Sequence, residues 1–279
     1  MTPAREHRVT AWDGLVLHAM SWGEETAAAP LFCLPGLVRT GGDFAHLAAA
    51  HAGRRRVVAL DYAGRGGSGW GRNVARYAPE ATLRDILDVA AALAIDRAVV
   101  VGTSFGGLMA MAIAAPRPGL LCGVVLNDIG PELGAAGEAL VRRFVAEDPA
   151  LPDLAAAAQH LRRLLPDLSF TADADWFEFA DLTYAPGSDG RWHPRWDRRI
   201  AAMLAGPPRD LWPFFEALEG VPLLLVHGGA SALLLAPTVA AMRARRPDME
   251  VATVAGVGHA PSLGEPVAAA AVARFVAAL

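Results

Sequence analysis

Ser104 lies in the run Gly102-Thr103-Ser104-Phe105-Gly106-Gly107, a G-x-S-x-G pattern preceded by the apolar AVVVG and followed by a further apolar stretch. A serine hydroxyl is a weak nucleophile until a neighbouring base takes its proton. This pattern supplies the setting: a sharp strand-to-helix turn exposes Oγ, and glycines beside it avoid the clashes that a strained backbone would otherwise create. The turn also puts the Phe105 amide at the start of a helix. There a backbone N–H and the positive end of the helix dipole can stabilise an oxyanion. A second donor is expected from the loop after an earlier strand. LFCLPG-Leu37 has that form, with Pro35-Gly36 ending an apolar run and the Leu37 amide following; a plain Pro-Gly turn is the alternative.

Of eight histidines, His259 is the expected base. It sits in Val257-Gly258-His259-Ala260-Pro261, between the last strand-like run and a C-terminal helix, where it can reach the elbow serine. His227, at the end of a strand, is its competitor.

The elements that must position these residues alternate. Runs 31–35, 56–61, 98–102, 123–128, 222–228 and 250–256 read as strands, most of them apolar throughout. That pattern fits a parallel sheet covered on both faces. Helical stretches are expected over 43–51, 82–93, 105–115, 237–246 and 266–279. The alternation predicts an α/β fold with a mostly parallel doubly wound sheet and right-handed crossovers, its site beyond the carboxyl ends of the strands. One domain over 1–279 is expected. From about 131 to 215 no strand is evident, and the segment holds Trp176, Phe177, Phe179, Tyr184, Trp192, Trp196, Trp212, Phe214 and Phe215. It reads as an inserted helical cap over the active edge, the alternative being ordinary extra helices with core aromatics.

Composition narrows the function. The formal net charge is -4, and 53% of residues are hydrophobic. No basic stripe appears, so nucleic acid is not an expected partner. All 25 basic residues are arginine; without lysine, Schiff-base catalysis and a P-loop are excluded. Cys33 and Cys122 lie in apolar runs and read as buried thiols. Gly64-Arg65-Gly66-Gly67-Ser68-Gly69 matches G-x-G-x-x-G. However, no helix opens there and no acid follows at the right distance, so a dinucleotide site is not expected. No cluster has metal-ligand spacing. Neither a cofactor nor a metal is expected, only a small-molecule substrate. The N-terminus is too polar for a signal peptide, and the longest apolar stretch, 98–115, is broken by Gly102, Thr103, Ser104, Gly106 and Gly107. A cytoplasmic protein without a membrane partner is therefore expected.

LPGL, DYAGRGGSGW, GTSFGG, VVLNDIGPEL, PLLLVHG and GVGHAPSLGEP together resemble the α/β-hydrolase superfamily, in its bacterial branch of small esterase-like and C–C-bond hydrolases. The resemblance is collinear over essentially the whole chain and weakest in the cap. It implies a Ser–His–acid triad, substrate choice by the cap and no cofactor. One position departs from it. The family's usual acid follows the strand after the cap, where this chain reads Gly228-Gly229-Ala230-Ser231-Ala232-Leu233, with Ala232 in the acid's place. Asp128, 24 residues beyond Ser104, stands where some members, dehalogenases among them, carry theirs. Either Asp128 accepts from the imidazole Nδ1, or it only caps the loop Asp128-Ile129-Gly130-Pro131. The expected chemistry is hydrolysis of an ester, thioester or lactone of a small apolar substrate. Cleavage of a diketone-like C–C bond is an alternative on the same site, and a binding or regulatory protein with impaired catalysis is a second.

Overall fold

The computed structural model describes residues 4–206 and 209–279. Its strands are β1 (Arg5–Thr10), β2 (Val16–Trp22), β3 (Leu31–Leu34), β4 (Val57–Asp61), β5 (Ala98–Thr103), β6 (Leu121–Asn127), a short pair β7 (Tyr184–Pro186) and β8 (Trp192–Pro194), then β9 (Leu223–Gly228) and β10 (Glu250–Val254). Eight of them form one sheet in the order β1-β2-β4-β3-β5-β6-β9-β10. β2 runs antiparallel to β1 and β4, and every pairing from β4 to β10 is parallel.

Every residue of β3, β4, β6 and β9 is buried, as expected for strands covered on both faces. The crossovers supply the covering helices. Ile86 and Val89 of α2 (Pro79–Ala92), Met109 and Ile113 of α3 (Phe105–Ile113) and Met242 of α8 (Ala236–Arg245) pack with Val100 and Val124. On the other face, Leu47 of α1 (Ala45–His51) and Val272 and Phe275 of α9 (Pro266–Ala277) pack with Val99, Val101 and Val125. Successive residues of β5 thus enter opposite cores. Each such fully buried aliphatic side chain contributes about 1.5–3 kcal/mol.

Two differences from the sequence reading have physical causes. β1 and β2 were not anticipated, because β1 is an edge strand in which Val9 alone is buried, leaving no apolar run to detect. Between β6 and β9 the chain passes through α4 (Ala135–Ala146), α5 (Leu154–Leu164), α6 (Asp173–Thr183), the β7–β8 hairpin and α7 (Trp212–Glu216). No strand was expected over 131–215, and three-residue strands are too short to show a period. α5 and α6 share a small core around Leu161, Trp176, Ala180 and Tyr184. No helix is long and apolar enough to cross a membrane among the described residues.

The loops after β3 and β5 meet where the chain order reverses, since β3 pairs with β4 on one side and β5 on the other. That crevice is the place for a ligand in an open α/β sheet. The loop after β4 holds the loop after β3. Arg65, completely buried, donates from Nε to the Leu37 carbonyl at 2.8 Å and from Nη1 to the Ala63 carbonyl at 2.7 Å. Tyr62 Oη donates to the Pro35 carbonyl at 3.1 Å, and Asp61 Oδ1 accepts from the Gly41 amide at 2.7 Å. Burial pulls the Arg65 guanidinium down to about 10. The G-x-G-x-x-G run therefore folds as a brace, and Asp61 Oδ2 accepts from the Gly67 amide at 2.8 Å within it.

Arg65→Met would leave two buried carbonyls without their donor, at about 1–3 kcal/mol each, offset by relief of the guanidinium's desolvation. A net loss of about 2 kcal/mol is expected from urea unfolding; an unshifted midpoint would show that the brace is dispensable. A second prediction concerns pH. His193 on β8 faces Asp148 from Nδ1 at 3.0 Å and Asp189 from Nε2 at 3.1 Å, and hydrogen bonds to these carboxylates raise its pKa. The stabilisation is complete below about pH 6.5, the ordinary histidine value, and is lost as pH climbs through the raised one. The Leu151 and Trp192 amides, each bonded to the other's carbonyl at 3.0 and 2.7 Å, should then exchange faster than base catalysis alone requires. His193→Gln should remove that step.

Candidate active site

Ser104 caps α3 with φ 53° and ψ −118°. A residue with a side chain avoids this left-handed region at a cost of roughly 1–3 kcal/mol, so the surroundings must impose it. They do so by close packing: a Cβ on Gly106 would run into the Leu34 carbonyl, and one on Gly102 into the Gly106 backbone. The Ser104 amide donates to the Asn127 carbonyl at 3.0 Å, which ties the turn to the next strand.

Three of the residues singled out in the sequence come together. His259 Nε2 lies 2.9 Å from Ser104 Oγ, and Nδ1 lies 2.8 Å from Asp128 Oδ2. A carboxylate can only accept, so Nδ1 carries the imidazole proton and Nε2 is left to accept from the serine. Asp128 has no exposure, and a buried carboxylate needs donors on both oxygens. Its Oδ1 accepts from the Gly228 amide at 2.8 Å while Oδ2 takes the imidazole. His227, the competing histidine, points elsewhere and meets the Leu234 carbonyl through Nε2 at 3.1 Å.

The two expected oxyanion donors flank the serine. Leu37 and Ser104 line one cavity, and Phe105 is the first residue of α3. Among the described residues neither the Leu37 nor the Phe105 N–H has an acceptor in the protein. The Leu37 N–H belongs to the Gly36–Leu37 peptide, whose carbonyl accepts from the Arg39 amide at 3.1 Å, and the carbonyl of the next peptide, that of Leu37, is held by Arg65.

Ala232 also lines this cavity, but its loop has another role. The Ala232 carbonyl accepts from Gly137 at 3.3 Å and the Leu233 carbonyl from Gly134 at 2.7 Å, which docks the loop against the start of α4. A Cβ on Gly134 or Gly137 would strike the Ala232 carbonyl.

The cavity encloses about 590 Å³. Leu140, Val141 and Phe144 of α4, and Leu168, Phe170 and Phe179 further along, give it an apolar wall. Of the aromatics expected over the site only Phe179 lines it; Trp176, Tyr184, Trp196 and Phe215 are buried in cores instead. Phe144 and Phe170 were missed, and nothing in their spacing distinguishes them from packing residues. Arg39 is the guanidinium on this wall. It grips Asp43 with Nε at 2.7 Å and Nη2 at 2.5 Å, lies 4.0 Å over the Phe179 ring and bonds Thr183. The far loop is tied as well: the Gly258 amide donates to the Asp167 carbonyl at 2.6 Å, and Ser169 bonds Glu265. Among the described residues no group of three or more His, Cys, Asp and Glu is placed to hold a metal ion.

Comparison with known proteins identifies the family. The alpha/beta hydrolase family profile matches residues 31–273. The chain is 32% identical over 273 residues to a 3-hydroxybutyrate-oligomer hydrolase of Cupriavidus necator, covering 93% of each protein. It is 30% identical to an esterase of Mycobacterium tuberculosis, over 79% of this chain and 74% of that one. The crystal structure of an alpha/beta hydrolase from Novosphingobium aromaticivorans superposes over 100% of both chains with a TM-score of 0.93 at 35% identity. With the sheet, the serine turn and the profile match in agreement, the chain belongs to the alpha/beta hydrolase family.

Proposed function

We propose that this chain is a serine esterase that cleaves a carboxylic ester of a small, largely apolar substrate, with Ser104 as nucleophile, His259 as base and Asp128 as the acid of the triad. The observation that carries this reading is the continuous contact Ser104 Oγ–His259 Nε2–Nδ1–Asp128 Oδ2, at 2.9 and 2.8 Å. Ser104 attacks the ester carbonyl as its proton passes to Nε2. The Leu37 and Phe105 amides hold the oxyanion, and collapse of the intermediate expels the alcohol, which takes the proton from the imidazole. Water, deprotonated in turn by His259, releases the acid. Asp128 holds the tautomer throughout and balances the transient imidazolium. The segment from α4 to α7 acts as a cap that excludes water and selects the acyl chain with its apolar wall.

The oxoester is favoured over the thioester and lactone by the relative that hydrolyses 3-hydroxybutyrate oligomers, and an ester of a short hydroxy acid is the first substrate to try. The reading as an idle binding protein rested on Ala232 alone. With Asp128 in contact with the imidazole it loses that support.

A fluorophosphonate probe should label the protein, and Ser104→Ala should abolish both labelling and turnover. The loss in kcat should approach that of a whole-triad deletion, on the order of 10⁶. A panel of p-nitrophenyl esters, hydroxy-acid dimers, thioesters, lactones and a diketone separates the substrate classes; preference for the diketone would move the assignment to C–C cleavage. Asp128→Asn should lower kcat by about 10⁴, as loss of a triad carboxylate does. Ala232→Asp should leave kcat level or lower it, since it adds a charge beside an occupied site. A large gain in Ala232→Asp with an unaffected Asp128→Asn would reassign the acid.

A further inference from the structure

Asn127 ends β6 immediately before Asp128 and is 1% exposed. Three of its atoms reach the segments that carry the three reactive residues. Its carbonyl oxygen accepts from the Ser104 amide at 3.0 Å. Its side-chain Nδ2 donates to Thr103 Oγ1 at 3.1 Å, beside the serine, and to the Pro261 carbonyl at 2.8 Å, two residues past His259. Its own carbonyl carbon begins the peptide that carries Asp128. The Pro261 carbonyl can only accept, and this fixes the orientation of the amide.

That orientation leaves Asn127 Oδ1 buried without a partner. A side chain with an unpaired buried acceptor gives back much of what its two donors gain. Its main effect therefore lies in where those donors hold other atoms. Pro261 has no N–H, so its carbonyl is the one main-chain group of that residue that a neighbour can grip. Gripping it fixes the loop that presents His259 relative to the strand ends that present Ser104 and Asp128. On the other side of the same loop, the Gly258 amide donates to the Asp167 carbonyl and Glu265 accepts from the Ser169 hydroxyl, bonds that run to the segment between β6 and β9 rather than to the sheet.

We propose that Asn127 is a positioning residue of the reaction: by holding Pro261 and Thr103 together it sets the approach of His259 Nε2 to Ser104 Oγ. The inference rests on the serine-esterase reading. Misplacement of reacting groups by about 1 Å costs on the order of 10²-fold in rate, and the Pro261 bond restrains that distance from the end of β6, beside the bond from His259 to Asp128.

The test compares wild type with Asn127→Ala, which removes both donors and leaves room for water, and Asn127→Asp, which keeps the shape but turns an oxygen towards the Pro261 carbonyl. kcat and KM are measured on a p-nitrophenyl ester, with the second-order rate of fluorophosphonate labelling at Ser104 and the Tm. In both variants kcat and the labelling rate should fall together by about 10–100-fold, with KM within about twofold. A merely structural residue would lower Tm while each folded molecule labelled and turned over at the wild-type rate, and that result overturns the proposal. If one variant does not fold, the other carries the comparison. Failure of the wild type itself to label would instead remove the esterase reading, so the two failures are distinct.

Discussion

A carboxylate removed from water must find donors for both oxygens or give up its charge, and the position of Asp128 imposes that condition on the whole active edge. Its Oδ1 takes the amide of Gly228 at the end of β9, and its Oδ2 takes the imidazole that follows β10. Satisfying it brings together residues 100 and 131 positions apart in the chain. Only the sheet can do this reproducibly. Its parallel register puts the carboxyl ends of β5, β6, β9 and β10 side by side, so that loops remote in sequence become neighbours within hydrogen-bond reach.

The machinery on either side of the serine is held from two directions. From the sheet side, Arg65 and Tyr62 hold the carbonyls of Leu37 and Pro35, in the peptides on either side of the one that carries the Leu37 N–H. From the side of the helical excursion, Arg39 reaches Thr183 and Phe179 while the loops around Asp167 and Ser169 hold the His259 loop. The residues that line the cavity are thus continuous with those that brace the loops of Leu37 and His259.

How much of this was legible depended on how strongly local physics constrains each residue. Gly102, Gly106 and Gly107 announce the serine turn because no side chain fits against Leu34 and Ile129 there. The buried parallel strands announce themselves as unbroken apolar runs. β1, half solvated, and the three-residue strands of the excursion carry no such signature. The cavity wall was illegible for a different reason: Phe144 at the pocket and Trp196 in the core are both large apolar side chains on irregularly spaced elements, and only tertiary placement separates them. G-x-G-x-x-G was legible as a tight loop but silent on its use, because a brace for the loop after β3 and a cradle for phosphate ask the same of the backbone.

Asp128 lay between these cases, since the sequence left its role open against a vacant usual place at Ala232. The sheet explains why either place can serve. β6 and β9 are adjacent, with the Asp128 amide bonded to the Val226 carbonyl at 2.8 Å. A carboxylate at the end of either strand can therefore face the same imidazole Nδ1. Once the end of β6 supplies it, the loop after β9 has no charge to solvate and can be packed. That is what the structure does with it: Ala232 and Leu233 turn their carbonyls to Gly134 and Gly137 at the start of α4, Ser231 accepts from the Leu233 and Leu234 amides at 3.2 and 3.1 Å, and His227 holds the Leu234 carbonyl. An aspartate at position 232 would add a carboxylate to the cavity lining beside Ser104 and His259, in a loop whose main-chain acceptors already dock the start of α4. The buried carboxylate at the end of β6 and the docking of α4 on the uncharged loop after β9 are thus two sides of one arrangement.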